Sequence, residues 1–595
     1  MFVLWPNPSL RRGGCPHPPG RAKPGKDLAE AIKSRGEQCS PARMGAPGPT
    51  WALVLGSLLV AWPATLVGQT PVPPVVGAGQ FRIAGTIVSA QENHPLSRAR
   101  VSLRDVKNAQ NQIFMITGDD GHFAFSNLPA GKYSLTGAKR GYISAAYEQH
   151  EQFSTAIVTG AGLDTENLTL RLVRTAVLTG HVFDESGEPV RAATVTLWRD
   201  DHSAGVSRTV SYRTDQSDDL GSFEFAPLDA GTYFVSAVAK PWYAVHPPSV
   251  RQAAANDAPT QVDRSLDVVY LPTYYAGATE VEDASPILVR GGDRLDLDLH
   301  LTPVPALHVI LRTSAPQAGQ GFQMPALFKR DFDGSQQALQ PEVQMTAPGV
   351  VEITAAPGKY ELRLPQHDGE PIQSSEVEIS QDNQELDASA GQAVSTITAK
   401  VELMGETALP PQMAFALRNS QHRVVAWGPM SPAREVTFAD VAPGNYEVLA
   451  GAASRAYSVV SMVVNGSPVS GRLLTVPAGA ALALSLRVVG GAADVNGLAQ
   501  RAGKGAAGAM IVLVPRNPEA NRELFRRDQS DLDGTFTFRS VIPGTYTALA
   551  IENGWDLDWS KPAVIAQYAA HGEKIVVGGS QSAIQLPSPL QIQPK

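Results

Sequence analysis

Apolar and polar residues alternate along much of this chain. "FRIAGTIV" (Phe81–Val88), "LTLRLV" (Leu168–Val173), "AVLTGHVF" (Ala176–Phe183) and "LDLDLHL" (Leu295–Leu301) place apolar side chains at about every second position. That is the period of a strand with one buried face. A longer phrase returns: "DDGHFAFSNLPAGKYSL" at Asp119–Leu135, "DLGSFEFAPLDAGTYFV" at Asp219–Val235 and "LDGTFTFRSVIPGTYTA" at Leu532–Ala548. Weaker copies are "GVVEITAAPGKYEL" (Gly349–Leu362) and "REVTFADVAPGNYEV" (Arg434–Val448). The glycine before each tyrosine falls at Gly131, Gly231, Gly358, Gly444 and Gly544, so five modules are expected.

Each part of the phrase has a physical task. Asp and Gly make a turn, the Asp by accepting backbone N–H groups and the Gly by allowing positive φ. The paired phenylalanines, such as Phe123 and Phe125, lie two apart and share one face of a strand. A second tight turn at Pro/Ala-Gly leads into Tyr133, Tyr233, Tyr360, Tyr446 and Tyr546, each opening a further strand with its hydroxyl seeking a partner. Upstream, "PLSRARVSL", "PVRAATVTL", "MAFALR" and "AMIVLV" supply another strand. Six or seven short strands in about 90–100 residues, with frequent turn signals, predict a β-sandwich. Asp119 and Asp120 read as turn residues, because the Asp-Gly pair disappears from the weaker copies while the apolar alternation stays.

The N-terminus has a different character. Residues 1–50 are rich in Pro, Gly and Arg, and "WALVLGSLLVAW" (Trp51–Trp62) is apolar. A dozen residues is short for a membrane span of about 20 and suits a signal peptide. Cleavage is expected near Gly68 or Gln69, with Met44 the preferred start over Met1. Both cysteines, Cys15 and Cys39, precede that run, so the expected mature chain carries no disulfide and relies on its hydrophobic cores.

The formal charge is −8; without the first 68 residues there remain 41 basic and 54 acidic side chains, a charge of −13. No basic stripe is left to follow a phosphate backbone, so nucleic acid is not an expected partner. No second long apolar segment follows, and no membrane span is expected in the mature chain. HExxH, GxSxG, Walker A and CxxC patterns are absent from the sequence. "HDGE" (His367–Glu370) matches half of a carboxypeptidase zinc motif by chance, between two prolines. "DLDG" (Asp531–Gly534) resembles part of a calcium loop but has Gln529 at the first ligand position. No catalytic, cofactor-binding or metal-binding residue is assigned, and no cofactor is expected.

"PVRAATVTL … DDLGSFEFAPLDAGTYFV" resembles the carboxypeptidase regulatory-like domain, a transthyretin-like sandwich, clearly in modules one, two and five and weakly in three and four. The resemblance implies an all-β chain: a tandem array of about five transthyretin-like or immunoglobulin-like β-sandwiches after an N-terminal signal segment. The expected divisions are 1–69 (extension and signal peptide), 80–174, 175–303, 304–393, 394–490 and 491–592. It also implies a non-catalytic, carbohydrate-binding-like domain. The Lys–Asn cross-link of related pilin-type modules is not expected, since the first strands lack the lysine.

Module two is longer by roughly thirty residues after its Tyr strand. The insert concentrates Trp242, Tyr243, Tyr270, Tyr274 and Tyr275, and module five carries Trp555 and Trp559 around two aspartates. Aromatic faces beside carboxylates suit sugar rings and protein hot spots; packing of the insert as a second small core explains them equally. These seven are the candidate contacts with a ligand or partner. The expected role is structural or binding, in an exported, non-enzymatic protein that is periplasmic, secreted or on the cell surface. Carbohydrate binding is the alternative and an accessory subunit of an envelope enzyme the third reading. A polysaccharide or an envelope protein is the candidate partner.

Overall fold

The structure, a computed structural model, describes residues 79–595 apart from 161, 247–262, 313–325, 333–335, 340–341, 348–349, 365–372, 388–391, 407, 421–423, 454, 470 and 580–581. The expected signal segment and "HDGE" lie outside the described residues.

The alternation folds as strands. The chain is all-β, with one α-helix, Pro562–Ala569, among the described residues. Five sandwiches recur, each with its own buried cluster. In module one the strand Phe81–Ser89 pairs antiparallel with His122–Leu128, which carries Phe123 and Phe125, and parallel with Leu168–Leu172. The facing sheet centres on Arg100–Asp105, between the outer strand Gln112–Ile116 and the Tyr strand Lys132–Ala138. The same connections build the other four modules. Their first strands, Ala176–Phe183, Leu307–Arg312, Ser395–Met404 and Ala493–Arg501, each take at least one antiparallel and at least one parallel neighbour.

Two local devices repeat. The glycine in the first strand lies across from a phenylalanine of the neighbouring strand: Gly85 opposite Phe123, Gly180 opposite Phe223 and Gly497 opposite Phe536. A Cβ at Gly180 would stand 1.9 Å from the Leu297 carbonyl oxygen and 2.6 Å from the Phe223 ring, so the closing strand and the ring both occupy the missing side chain's place. Each motif tyrosine donates its hydroxyl to the carbonyl four residues back: Tyr133 to Pro129 (2.9 Å), Tyr233 to Asp229 (3.0 Å), Tyr360 to Ala356 (2.8 Å), Tyr446 to Ala442 (2.8 Å) and Tyr546 to Ile542 (2.7 Å). The ring folds back over its own turn and closes it.

The aspartates of the recurring phrase bend the chain. Asp120 accepts the His122 N–H at 3.0 Å, Asp218 those of Leu220 and Ser222, and Asp533 that of Thr535. Gly121, Gly221 and Gly534 follow at positive φ. Module four keeps this turn with different residues: Ser431 accepts from the Glu435 N–H, and Arg434 takes the left-handed position at φ 60°.

The modules do not simply follow one another. Module five packs against modules one and two, which lie more than 300 residues earlier in the chain. The Asp531 carboxylate takes Lys132 Nζ at 2.5 Å and the Ala156 N–H at 3.0 Å. Gln529 donates to the Glu148 carbonyl and to Thr155. Ser560 donates its backbone N–H to Gly205 of module two at 3.0 Å, and Asp558 accepts the Ser207 N–H at 2.8 Å.

Candidate functional site

The insert of module two divides its aromatic residues between surface and interior. After the Tyr strand Gly231–Val238 the chain leaves the sheet, turns through Trp242 and Tyr243, and returns along Val268–Tyr270, which pairs with Pro303–Pro305. Trp242 is 83 % exposed and meets Tyr243 edge-on, with centroids 6.0 Å apart. Tyr243 donates its hydroxyl to one oxygen of Glu185, and Tyr270 donates to the other at 2.9 Å. Burial works against the charge on Glu185, yet the Tyr243 hydroxyl, a backbone N–H and the Tyr270 hydroxyl hold its carboxyl below the usual range. Burial, reinforced by the same carboxylate, pushes the Tyr243 phenol up to about 12 and raises Tyr270 as well. The result is an ionised carboxylate held by two neutral phenols, beside an open indole face. Such a surface can stack on an apolar ring face and accept hydrogen bonds from its hydroxyls.

Tyr274 and Tyr275 go elsewhere. Tyr274 is 1 % exposed and donates to Asp331 of module three at 2.9 Å, with Phe332 edge-on to its ring at 5.6 Å. Trp198 and Phe234 of module two complete this cluster. Burial raises the pKa of Asp331 despite the donations from the Phe332 N–H and Tyr274. Tyr275 is half-buried against the module-two core, and the Tyr270 ring belongs to that core. Both Tyr270 and Tyr274 offer no open face.

Trp555 and Trp559 stand where modules one, two and five meet. His150 of module one stacks on Trp555 with centroids 4.8 Å apart and planes 6° from parallel. Trp559 is 4 % exposed and joins the helix residues Ile565 and Tyr568 in a second module-five core. Arg527, whose side chain has no exposed surface, lies 4.5 Å over Trp559 and forms an ion pair with Glu151 of module one at 2.5 Å. Both indole N–H groups are buried without a hydrogen-bond partner among the described residues.

No sequence pattern pointed to Glu185, Arg527 or Asp331, nor to a polar chain of His246, Asp267, His308 and Glu352 between modules two and three. The one trace of that chain is a single His inside the apolar run "ALHVIL". In the calcium-like "DLDG", Asp531 is occupied by Lys132 and Ala156, and Asp533 by Thr535. Among the described residues no group of three or more His, Cys, Asp or Glu could hold a metal ion, and no helix is long and apolar enough to cross a membrane.

Residues 82–172 match the carboxypeptidase regulatory-like domain family. In this segment three strands face a second sheet centred on Arg100–Asp105; the three-stranded sheet recurs in module two, while modules three and four build sheets of four and five strands and module five joins its strands in one nine-stranded sheet. Among solved structures, the chain is similar to the TIE protein of Bacillus anthracis (12% identity over 69% of this chain and 74% of that one, TM-score 0.17). It is also similar to GBS52, the minor pilin of Streptococcus agalactiae (13%, 38% and 96%, TM-score 0.19), and to the shaft pilin SpaA of Lactobacillus rhamnosus GG (12%, 38% and 97%, TM-score 0.16). At TM-scores this low the likeness is slight, and the architecture rests on the strand pairings. No curated protein matches the chain.

Proposed function

We propose that this chain is a non-catalytic, exported scaffold of the cell envelope, in which tandem regulatory-like sandwiches are tied into a block. The observation that carries this reading is the joint of modules one, two and five. There Trp555, Trp559 and Asp558, offered by the sequence as part of a ligand site, are spent on contacts with modules one and two. Residues with the reach to do chemistry are occupied in the same way: Asp531 by Lys132, Glu151 by Arg527. Export is supported by the apolar Trp51–Trp62 stretch, and N-terminal sequencing of the secreted or envelope-bound protein tests it. A start near Gln69 is expected; a retained Trp51 would refute cleavage. Peptidase activity, assayed with and without zinc, is expected to be absent, and a chelator-sensitive turnover would overturn the reading.

A second reading rests on Trp242, whose open face beside Tyr243 and Glu185 suits a sugar ring. A glycan array with the whole chain tests it. If the surface binds, Trp242→Ala loses at least tenfold in affinity, the scale of about 1.4 kcal/mol, with no change in melting temperature. Binding that survives Trp242→Ala would place the ligand elsewhere.

A further inference from the structure

The joint between modules two and three holds an acid–base chain that the scaffold reading leaves unused. His308 stands on the strand Leu307–Arg312 with its side chain 6 % exposed. Its Nδ1 lies 2.6 Å from Glu352 Oε1, and its Nε2 lies 2.7 Å from Asp267 Oδ2. Glu352 comes from the neighbouring strand Val350–Ala355 and is 2 % exposed; Asp267 comes from the module-two insert, just past the short 3-10 turn Arg264–Leu266. The other oxygen of Asp267 is 2.8 Å from His246 Nδ1, and Gln344 of module three donates to the His246 carbonyl at 2.9 Å. The remaining charged groups around this chain are carboxylates or their partners. Glu342 is 3.9 Å from His246 Nε2, Asp382 accepts the backbone N–H of His308, and Glu385 on the flanking strand Gln384–Asp387 is held by Arg312.

A neutral imidazole carries one N–H. Between two ionised carboxylates at these distances, a neutral ring would aim a lone pair at one of them. A ring protonated on both nitrogens donates to both, and such charge-assisted bonds are short and strong. We propose that His308 is a proton-operated latch: as imidazolium it clamps residues 263–270 of module two, through Asp267, to Glu352 of module three, and on losing its proton it releases them. The latch goes beyond the scaffold reading and does not depend on it.

The sign follows from the surroundings. Burial alone would lower the pKa of His308, but hydrogen bonds and charge from Asp267 and Glu352 outweigh it and raise the value above the ordinary 6.5. A folded-state pKa raised above the unfolded one contributes stability that is full below about pH 6.5 and lost as pH climbs through the folded value. The latch is therefore closed on the acid side of the His308 pKa and opens on its alkaline side.

Hydrogen–deuterium exchange on the full chain from pH 6 to 10, corrected for the intrinsic exchange rate, tests this on peptides from 263–270. In the wild type, opening of this segment rises by about tenfold per pH unit above the His308 pKa, the slope of one proton. Peptides from Gly544–Ile551 in module five stay protected. His308→Gln, an uncharged amide with its donors on one nitrogen and an acceptor oxygen beside them, shows a more open segment at pH 6 and no step. Protection unchanged to pH 10 in the wild type, or a step that persists in His308→Gln, would overturn the latch. Should the variant not fold, the ring nitrogen shifts of His308 in the wild type decide. A doubly protonated ring at pH 6 supports the latch, and a neutral one ends it.

Discussion

At the scale of single residues, the recurring tyrosines carry more than their rings. Tyr546 is 1 % exposed, and its hydroxyl reaches the Ile542 carbonyl across the tight turn at Pro543–Gly544. Burial raises that phenol to about 12, so it stays a neutral donor through the physiological range. Tyr546→Phe keeps the ring and removes the donor, leaving a buried carbonyl without it. Such a loss costs about 1–3 kcal/mol, and denaturant unfolding of module five should register it as a shift in midpoint. Tyr133→Phe, at the less buried turn of module one, should cost less, since water can reach its turn more readily. An unchanged midpoint for both would show that ring packing alone closes the turn. The strand-opening tyrosines were legible in sequence because the phrase that carries them is local and repeats; the carbonyl four residues back that each hydroxyl meets was not. The Asp turns were legible for the same reason, down to Asp120 serving its own backbone. Module four shows the limit of a literal motif: Ser431 and Arg434 build the turn without Asp or Gly.

At the scale of elements, period-two alternation names the buried face of a strand, and with it the glycine–phenylalanine pairs that set how closely two strands approach. Gly180→Ala should force Leu297 and Phe223 away, because the new Cβ would lie within van der Waals contact of both. Overpacking of this kind costs about 1–3 kcal/mol or more. Gly160→Ala, where the nearest neighbour of a Cβ is the Leu163 side chain at 3.8 Å, is the matched control and should leave the melting temperature almost unchanged. Equal behaviour of the two variants would remove the pair from the explanation of the fold. Alternation is silent about what covers the outer side of an element. That is why the seven candidate aromatics could not be sorted from sequence: Trp242 faces solvent, Tyr274 faces Asp331 of another module, and Trp559 faces Gly205. The helix Pro562–Ala569 escaped sequence reading too. Its cue was present, a proline at the first helical position of an Ala-rich run, but strand signals on either side outweighed it.

At the scale of the whole molecule, the decisive contacts join residues hundreds of positions apart, which no local pattern encodes. Arg527 is the clearest case. Its side chain is fully buried among Phe153, Trp555 and Trp559, and it is paired with Glu151, which keeps a quarter of its side-chain surface. Removing the carboxylate leaves a guanidinium inside the joint with its main counter-charge gone. Breaking a buried pair from one side costs about 3–5 kcal/mol, and the partial exposure of Glu151 places the expected loss near the lower end, about 3 kcal/mol. Lys132→Ala offers the contrast, because a pair with one member a third exposed is screened and is worth about 1 kcal/mol or less. The five cores do not include Glu151, so the loss should appear as separation of module five rather than as unfolding of any sandwich. Small-angle scattering on Glu151→Ala is expected to show a larger radius of gyration while the far-ultraviolet dichroism of the strands is kept. A scattering curve identical to the wild type, with an unchanged melting temperature, would mean that the aromatic contacts hold the block without the ion pair. The scaffold reading would then rest on packing alone.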